Sequence, residues 1–115
     1  MIIASLGLKG GSGKSTIAAN LASELSALGR TVRILDADPQ RSLVHIAALG
    51  EGLLSHVVEP VDAEHPAQFR RAVEIASRAA DRTIIDCPPG FADPALLAAL
   101  VSDIVLIPCG PGPMD

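Results

Sequence analysis

The chain has 115 residues, room for about one domain, and 49% of them are apolar, enough to bury a core. With no Trp or Tyr and only two Phe, that core must be built from Ile, Val, Leu and Ala. A net charge of −4 excludes a uniformly basic nucleic-acid binder, and no apolar run reaches the roughly 18 residues of a membrane span.

Ile2 to Leu6 is a short apolar run ending in glycine, which predicts a buried strand. No signal-peptide layout follows it, because Lys9 and the neighbouring glycines interrupt at once. From Lys14 the period becomes helical: Ile17, Leu21, Leu25 and Leu28 recur on one face beside Ala18 and Ala22, and Gly29 stands where a helix ends. Thr31 to Leu35 predicts a second strand, closed by Asp36 and Asp38. Pro39 breaks the chain, "RSLVHIAAL" predicts a short helix stopped by Gly50, and "HVVEP" a weak third strand.

Pro66 to Ala80 predicts an amphipathic helix. Phe69, Ala72, Val73, Ala76 and Ala80 form its apolar stripe, and Arg70, Glu74, Arg78 and Arg82 the opposite one. That face reads as solvated, with ion pairs through Glu74, ahead of a nucleic-acid contact by the arginines. "TIIDCPPG" predicts a fourth strand, "DPALLAALV" a fourth helix and "DIVLIPC" a fifth strand, with Ile104 to Ile107 too apolar for a solvent-facing edge. Strand and helix alternate throughout, so the expected fold class is α/β, a parallel sheet with helices on both faces. Functional residues are then expected at the C-terminal ends of the strands. Cys87 and Cys109 form no C-x-x-C pair and read as reduced packing thiols, and His45 and His56 have no ligand-like spacing.

Chemistry concentrates at three of those strand ends. Gly10, Gly11, Ser12 and Gly13 follow a strand and open a helix, the setting in which backbone N–H groups turn toward an anion at a helix N-terminus. Lys14 can then reach β- and γ-phosphates, and the Ser15 hydroxyl can bind Mg²⁺. The usual G-x-x-x-x-G-K-[ST] pattern is met only at its end, because Leu8 replaces the first glycine and Lys9 adds a second cation. Asp86 closes an apolar strand, where a carboxylate holds Mg²⁺ through water. Asp36 and Asp38 lie two apart, so on an extended strand end both side chains point the same way. One of them can orient an attacking water, the other the metal shell or the loop.

"KGGSGKST", "DADPQRS" and "IIDCPPG", in this order and at these distances, resemble the ParA/MinD family of deviant Walker ATPases, closest to its small ParA-type partition members. The resemblance covers essentially the whole chain. It implies ATP and Mg²⁺ as ligands, with Lys9 to Thr16 binding nucleotide, Thr16 beside the α-phosphate and Ser15 on the metal. It implies that Asp38 positions the hydrolytic water and, with Asp86, supports the metal through water. Asp36, Pro39, Gln40, Pro88, Pro89 and Gly90 become switch residues, with Pro88 to Gly90 sensing the γ-phosphate. Lys9 becomes the lysine that crosses an ATP-sandwiched homodimer to the other subunit's phosphates, which accounts for the second cation in the loop.

The same resemblance implies a cytoplasmic, nucleoid-associated ATPase. It binds DNA non-specifically, is triggered by a second protein and positions plasmid, chromosome or other cargo, with no membrane partner. A MinD-like membrane-associated ATPase and a non-catalytic nucleotide-binding fragment are the alternatives, while iron–sulfur carrier relatives need a cysteine pair that this chain lacks. "IPCGPGPMD" resembles the family's P-x-x-P-S-P-x-D segment with Gly112 in place of serine. Residues 1–115 are expected to be the N-terminal portion of the ATPase domain. The part that reads adenine, meets DNA and builds much of the dimer face is expected beyond it.

Overall fold

The computed structural model describes residues 1–7, 14–48, 57–90 and 93–107. Among them are five strands, β1 (Ile2–Ser5), β2 (Val32–Asp36), β3 (Val58–Pro60), β4 (Arg82–Asp86) and β5 (Ile104–Leu106). They alternate with helices α1 (Lys14–Ala27), α2 (Ser42–Ala48), α3 (Pro66–Ala79) and α4 (Asp93–Leu100). All strand pairs are parallel, in the order β3-β2-β4-β1-β5. The chain therefore crosses from β1 to β2 over the place that β4 later fills. A crevice opens at such a reversal, above the C-terminal strand ends.

Side chains alternate across the central strands and divide the core in two. Ile34 and Ile84 face α1 and α2 and pack with Ala18, Ala22 and Leu43. Leu35 and Ile85 face the other way and pack with Phe69, Val73 and Ala76 of α3 and Ala95 and Ala98 of α4. Phe69 is fully buried, a contribution of about 2–3 kcal/mol on its own. Helices thus cover both faces, as the alternation predicts.

Helix α1 differs from its sequence pattern. Its small residues, Ala18 and Ala22, make the buried contact, while Ile17, Leu21 and Leu25 are half-buried along its flanks. Leu28 is 77% exposed. It lies past the last helical residue, where Gly29 takes a φ of +85° and the Arg30 and Gly29 N–H groups donate to Leu25 and Ser26 carbonyls. That double bond closes the helix with a left-handed glycine and turns Leu28 outward. Arg82 also departs from expectation: it opens β4 instead of extending the polar face of α3, where Glu74 and Arg78 do pair at 2.7 Å. The two sheet edges are unlike. β3 ends in Pro60, which offers no N–H, whereas Ile104 and Val105 of β5 stand well exposed.

Candidate functional site

Register brings the strand ends level. Ser5 pairs with Asp86 and Asp36 pairs with Asp86, so β1, β4 and β2 finish in one row. Beyond the ladder, Cys87 N–H donates to the Ser5 carbonyl and Ala37 N–H to the Asp86 carbonyl, which keeps the row aligned. Ser5 Oγ in turn donates to the Lys14 carbonyl at 3.1 Å and ties the start of α1 to the end of β1.

Lys14, the first residue of α1, is only 3% exposed. Its Nζ donates to Asp38 Oδ2 and to Asp86 Oδ1, both at 2.8 Å, and Ser15 Oγ donates to Asp86 Oδ2 at 2.8 Å. Burial works against the ammonium, but hydrogen bonds and charge from Asp38 and Asp86 outweigh it and raise the Lys14 pKa above its ordinary value. It stays charged at any physiological pH.

Asp36 and Asp38 do not point alike. β2 stops at Asp36, so the extended geometry that would align them is lost at Ala37. Asp36 Oδ1 accepts the Asp38 N–H at 3.3 Å and Oδ2 accepts the Val44 N–H at 3.1 Å, so its carboxylate holds the loop and the first turn of α2. Asp38 Oδ1 accepts the Gln40 N–H at 3.0 Å while Oδ2 meets Lys14. Burial raises the Asp36 pKa, with the nearby Asp86 charge adding to it and the two amides opposing. Cys87 follows Asp86 in the apolar layer, and burial pushes its thiol up to about 12, which makes it an inert packing group.

The remaining site residues of the sequence reading fall in three places. Pro39 and Gln40 continue the Asp38 turn and are exposed. In the segment of Pro88, Pro89 and Gly90, Gly90 has a φ of +86° and its N–H donates to the Gly7 carbonyl at 2.7 Å, fastening that segment to the residue where the glycine-rich loop begins. Lys9, Gly10, Gly11, Ser12 and Gly13 lie outside the described residues, as does Cys109. Beside Lys14 and Asp38 a cleft of about 440 Å³ runs between α1 and α2, lined by Ser15, Thr16, Asn20, Gln40 and Ile46 among others.

Two buried carboxylates, Asp38 and Asp86, flank the buried Lys14 ammonium, and the Ser15 hydroxyl donates to Asp86, a set of hard oxygen donors of the kind a divalent cation takes. Among the described residues no cluster of three His, Cys, Asp or Glu ligands could hold a metal by itself. Mg²⁺ keeps most of its waters and takes few protein ligands, so the fit rests on the oxygen donors present, those of Ser15, Asp38 and Asp86. Sequence reasoning found these acids from their positions at strand ends. It missed Ser5 and Arg41, which act through backbone carbonyls that no side-chain motif reports.

The model of the CobQ/CobB/MinD/ParA nucleotide-binding domain matches residues 3–106. Maintenance of carboxysome distribution protein A of Halothiobacillus neapolitanus is 36% identical over 110 residues, which are 94% of this chain and 50% of that protein. The chain thus spans about half the length of the curated relatives it matches. Among solved structures, cobyrinic acid a,c-diamide synthase of Mycobacterium smegmatis with ADP and magnesium superposes with a TM-score of 0.72. It is 25% identical, over 94% of this chain and 58% of that one. The septum site-determining protein MinD of Pyrococcus horikoshii with Mg-ADP gives 0.68 at 26% identity, over 96% and 58%.

Proposed function

The chain belongs to the CobQ/CobB/MinD/ParA nucleotide-binding family, and on that premise we propose that it is the phosphate-binding part of a magnesium-dependent ATPase that positions cargo. One observation carries the reading: Lys14 and Ser15, at the start of α1, meet Asp86 at the end of β4, and Lys14 also meets Asp38 in the turn after β2. A helix N-terminus with a lysine and a hydroxyl is built for phosphate and its metal, and carboxylates across from it can hold that metal and a water. Lys14 serves the β- and γ-phosphates once nucleotide enters. Ser15, with Asp86 and Asp38 through water, would hold Mg²⁺, which neutralises phosphate charge when bound. Asp38 orients the attacking water, and Pro39, Gln40 and Pro88 to Gly90 respond to the γ-phosphate.

Lys9 gives the reading its second half. A second ammonium beside Lys14 is repelled unless it points away from the subunit's own phosphates. In a face-to-face homodimer it meets the other subunit's phosphates, in a water-poor site where each interaction counts for more. ATP binding and dimerisation then tighten each other. Two relatives are named for carboxysome distribution and for chromosome partitioning, both of which place a cargo. By analogy the ATP-bound dimer binds DNA non-specifically in the cytoplasm, at the nucleoid, and a second protein stimulates hydrolysis. Among the described residues no helix is long and apolar enough to cross a membrane.

The test uses the full-length protein in sedimentation and phosphate-release assays, with and without DNA. It should dimerise with ATP and Mg²⁺ and hydrolyse slowly. Lys9→Ala should bind ATP yet lose both dimer and turnover. A Lys9→Ala protein that dimerises and hydrolyses normally makes Lys9 a surface charge and removes the dimer mechanism.

A further inference from the structure

Arg41 stands at the hinge between the Asp36–Gln40 turn and α2, with a backbone φ of +56°. Among the described residues it is the non-glycine residue in the left-handed region, which crowds Cβ against the backbone. An arginine there is unfavourable unless its side chain returns something. Its guanidinium is half-buried and reaches back across the turn, where Nη1 donates to the Asp36 carbonyl and, at 2.8 Å, to the Val61 carbonyl. The Asp36 carbonyl also accepts the Val61 N–H at 3.0 Å, so the guanidinium seals the end of the β2–β3 ladder.

The backbone of Arg41 closes the same turn from inside. Its N–H donates to the Asp38 carbonyl and its carbonyl accepts the His45 N–H, each at 2.9 Å. Asp38 is thus held at its N–H by the Asp36 carboxylate, at its carbonyl by the Arg41 N–H, and at its side chain by Lys14 and the Gln40 N–H. The first depends on the position of Asp36, whose carbonyl the Arg41 guanidinium grips, and the second on the backbone of Arg41 itself.

We propose that Arg41 is a positioning residue that clamps the 36–41 turn shut and so fixes the Asp38 carboxylate beside Lys14. The clamp rests on the ATPase reading only for its consequence in turnover; its mechanical part stands by itself. Both bonds come from one nitrogen, Nη1, whose N–H directions the rigid planar guanidinium fixes, whereas a lysine ammonium rotates freely on a flexible stem.

The experiment compares Arg41→Asn and Arg41→Lys in the full-length protein. Asparagine tolerates the left-handed backbone but lacks the reach; lysine keeps the cation and the backbone strain. Amide hydrogen exchange should quicken in Arg41→Asn at Asp38, at position 41 and at Val44 by about tenfold or more, while β1 and β4 stay unchanged. Turnover should fall by at least about tenfold with ATP affinity within about threefold, since misplacement by an ångström costs roughly a hundredfold. Arg41→Lys should lie between. Unchanged exchange in Arg41→Asn overturns the clamp and leaves Arg41 a turn residue. Faster exchange with unchanged turnover overturns the link to Asp38. If the unaltered protein hydrolyses no ATP, the ATPase reading fails, and the exchange measurement still decides the clamp.

Discussion

Aspartates stand at both ends of the sheet, in different media. At the N-terminal ends, Asp81 and Asp103 are exposed. Asp81 Oδ2 accepts the Thr31 N–H at 3.0 Å while Thr31 Oγ1 accepts the Asp81 N–H at 2.8 Å, and Asp103 Oδ2 accepts the Ile2 N–H at 2.7 Å. These carboxylates pin strand starts and remain in water. At the C-terminal ends, Asp36, Asp38 and Asp86 are buried with Lys14, at a desolvation cost that their mutual contacts offset only when every partner is present. The exposed set can be lost cheaply. The buried set is fragile, and such an arrangement marks chemistry more than stability.

The largest test of that contrast removes the buried cation. Lys14→Ala leaves the facing carboxylates without an ammonium, and breaking a buried ion pair from one side costs about 3–5 kcal/mol. Urea unfolding at neutral pH should show a loss of that order, and titration calorimetry should show no ATP binding. A variant as stable as the original would mean that the cluster is wetter than its burial says.

Next comes Asp38→Ala. Asp38 shares Lys14 with Asp86, so one ion pair survives the change and folding should persist. Turnover should drop by roughly a hundredfold or more, as for other groups that align a reacting water, with ATP affinity kept within a few-fold. Equal losses in affinity and turnover would place Asp38 in binding instead.

A smaller effect is expected between the two ends. Thr83, in β4, has a buried hydroxyl with no hydrogen-bond partner among the described residues, unlike the partnered acids above it. Thr83→Val keeps the shape and removes the unmet polar group, so it should stabilise the fold by about 1 kcal/mol. A chemical-denaturation midpoint that falls would show that the hydroxyl does find a partner in solution.

The contrast also shows what the sequence could convey. Strand and helix alternation was legible because each element carries its own period, and Lys14, Ser15 and Asp86 were legible because a loop motif and a strand end are local. The row formed by Ser5, Asp86 and Asp36 depends on β4 lying between β1 and β2, a pairing across distant residues that no local pattern states. The two-residue strand period predicts the Asp36 and Asp38 side chains on one side. Their divergence comes from where β2 stops, a one-residue matter that decides which way each side chain faces. Arg82 shows the same limit: helical spacing continued past the point where Ala80 had already turned extended.

The finest test uses acid to set the two ends against each other. Asp81 is held below its ordinary pKa, chiefly by the Thr31 N–H and further by the Thr31 hydroxyl, Arg30 and Arg82. A group depressed on folding contributes stability above its unfolded pKa of 3.8 and loses it as pH falls through the lower folded value. Asp36 is shifted the other way by burial, so its contribution is full below 3.8 and declines as pH rises through its raised folded value. Compared with the original protein, Asp81→Asn should be slightly less stable at neutral pH, and the gap should close as pH drops below 3.8. Asp36→Asn loses an acceptor for one of its two amides and starts from a larger deficit, but that deficit should shrink as pH rises from 3.8, because the original then loses its proton in a buried place. Urea midpoints across an acid pH series read both differences directly. Opposite slopes keep the two ends distinct. Slopes of the same sign would mean that Asp36 is as well solvated as Asp81, and the division between strand-pinning and buried aspartates would fall.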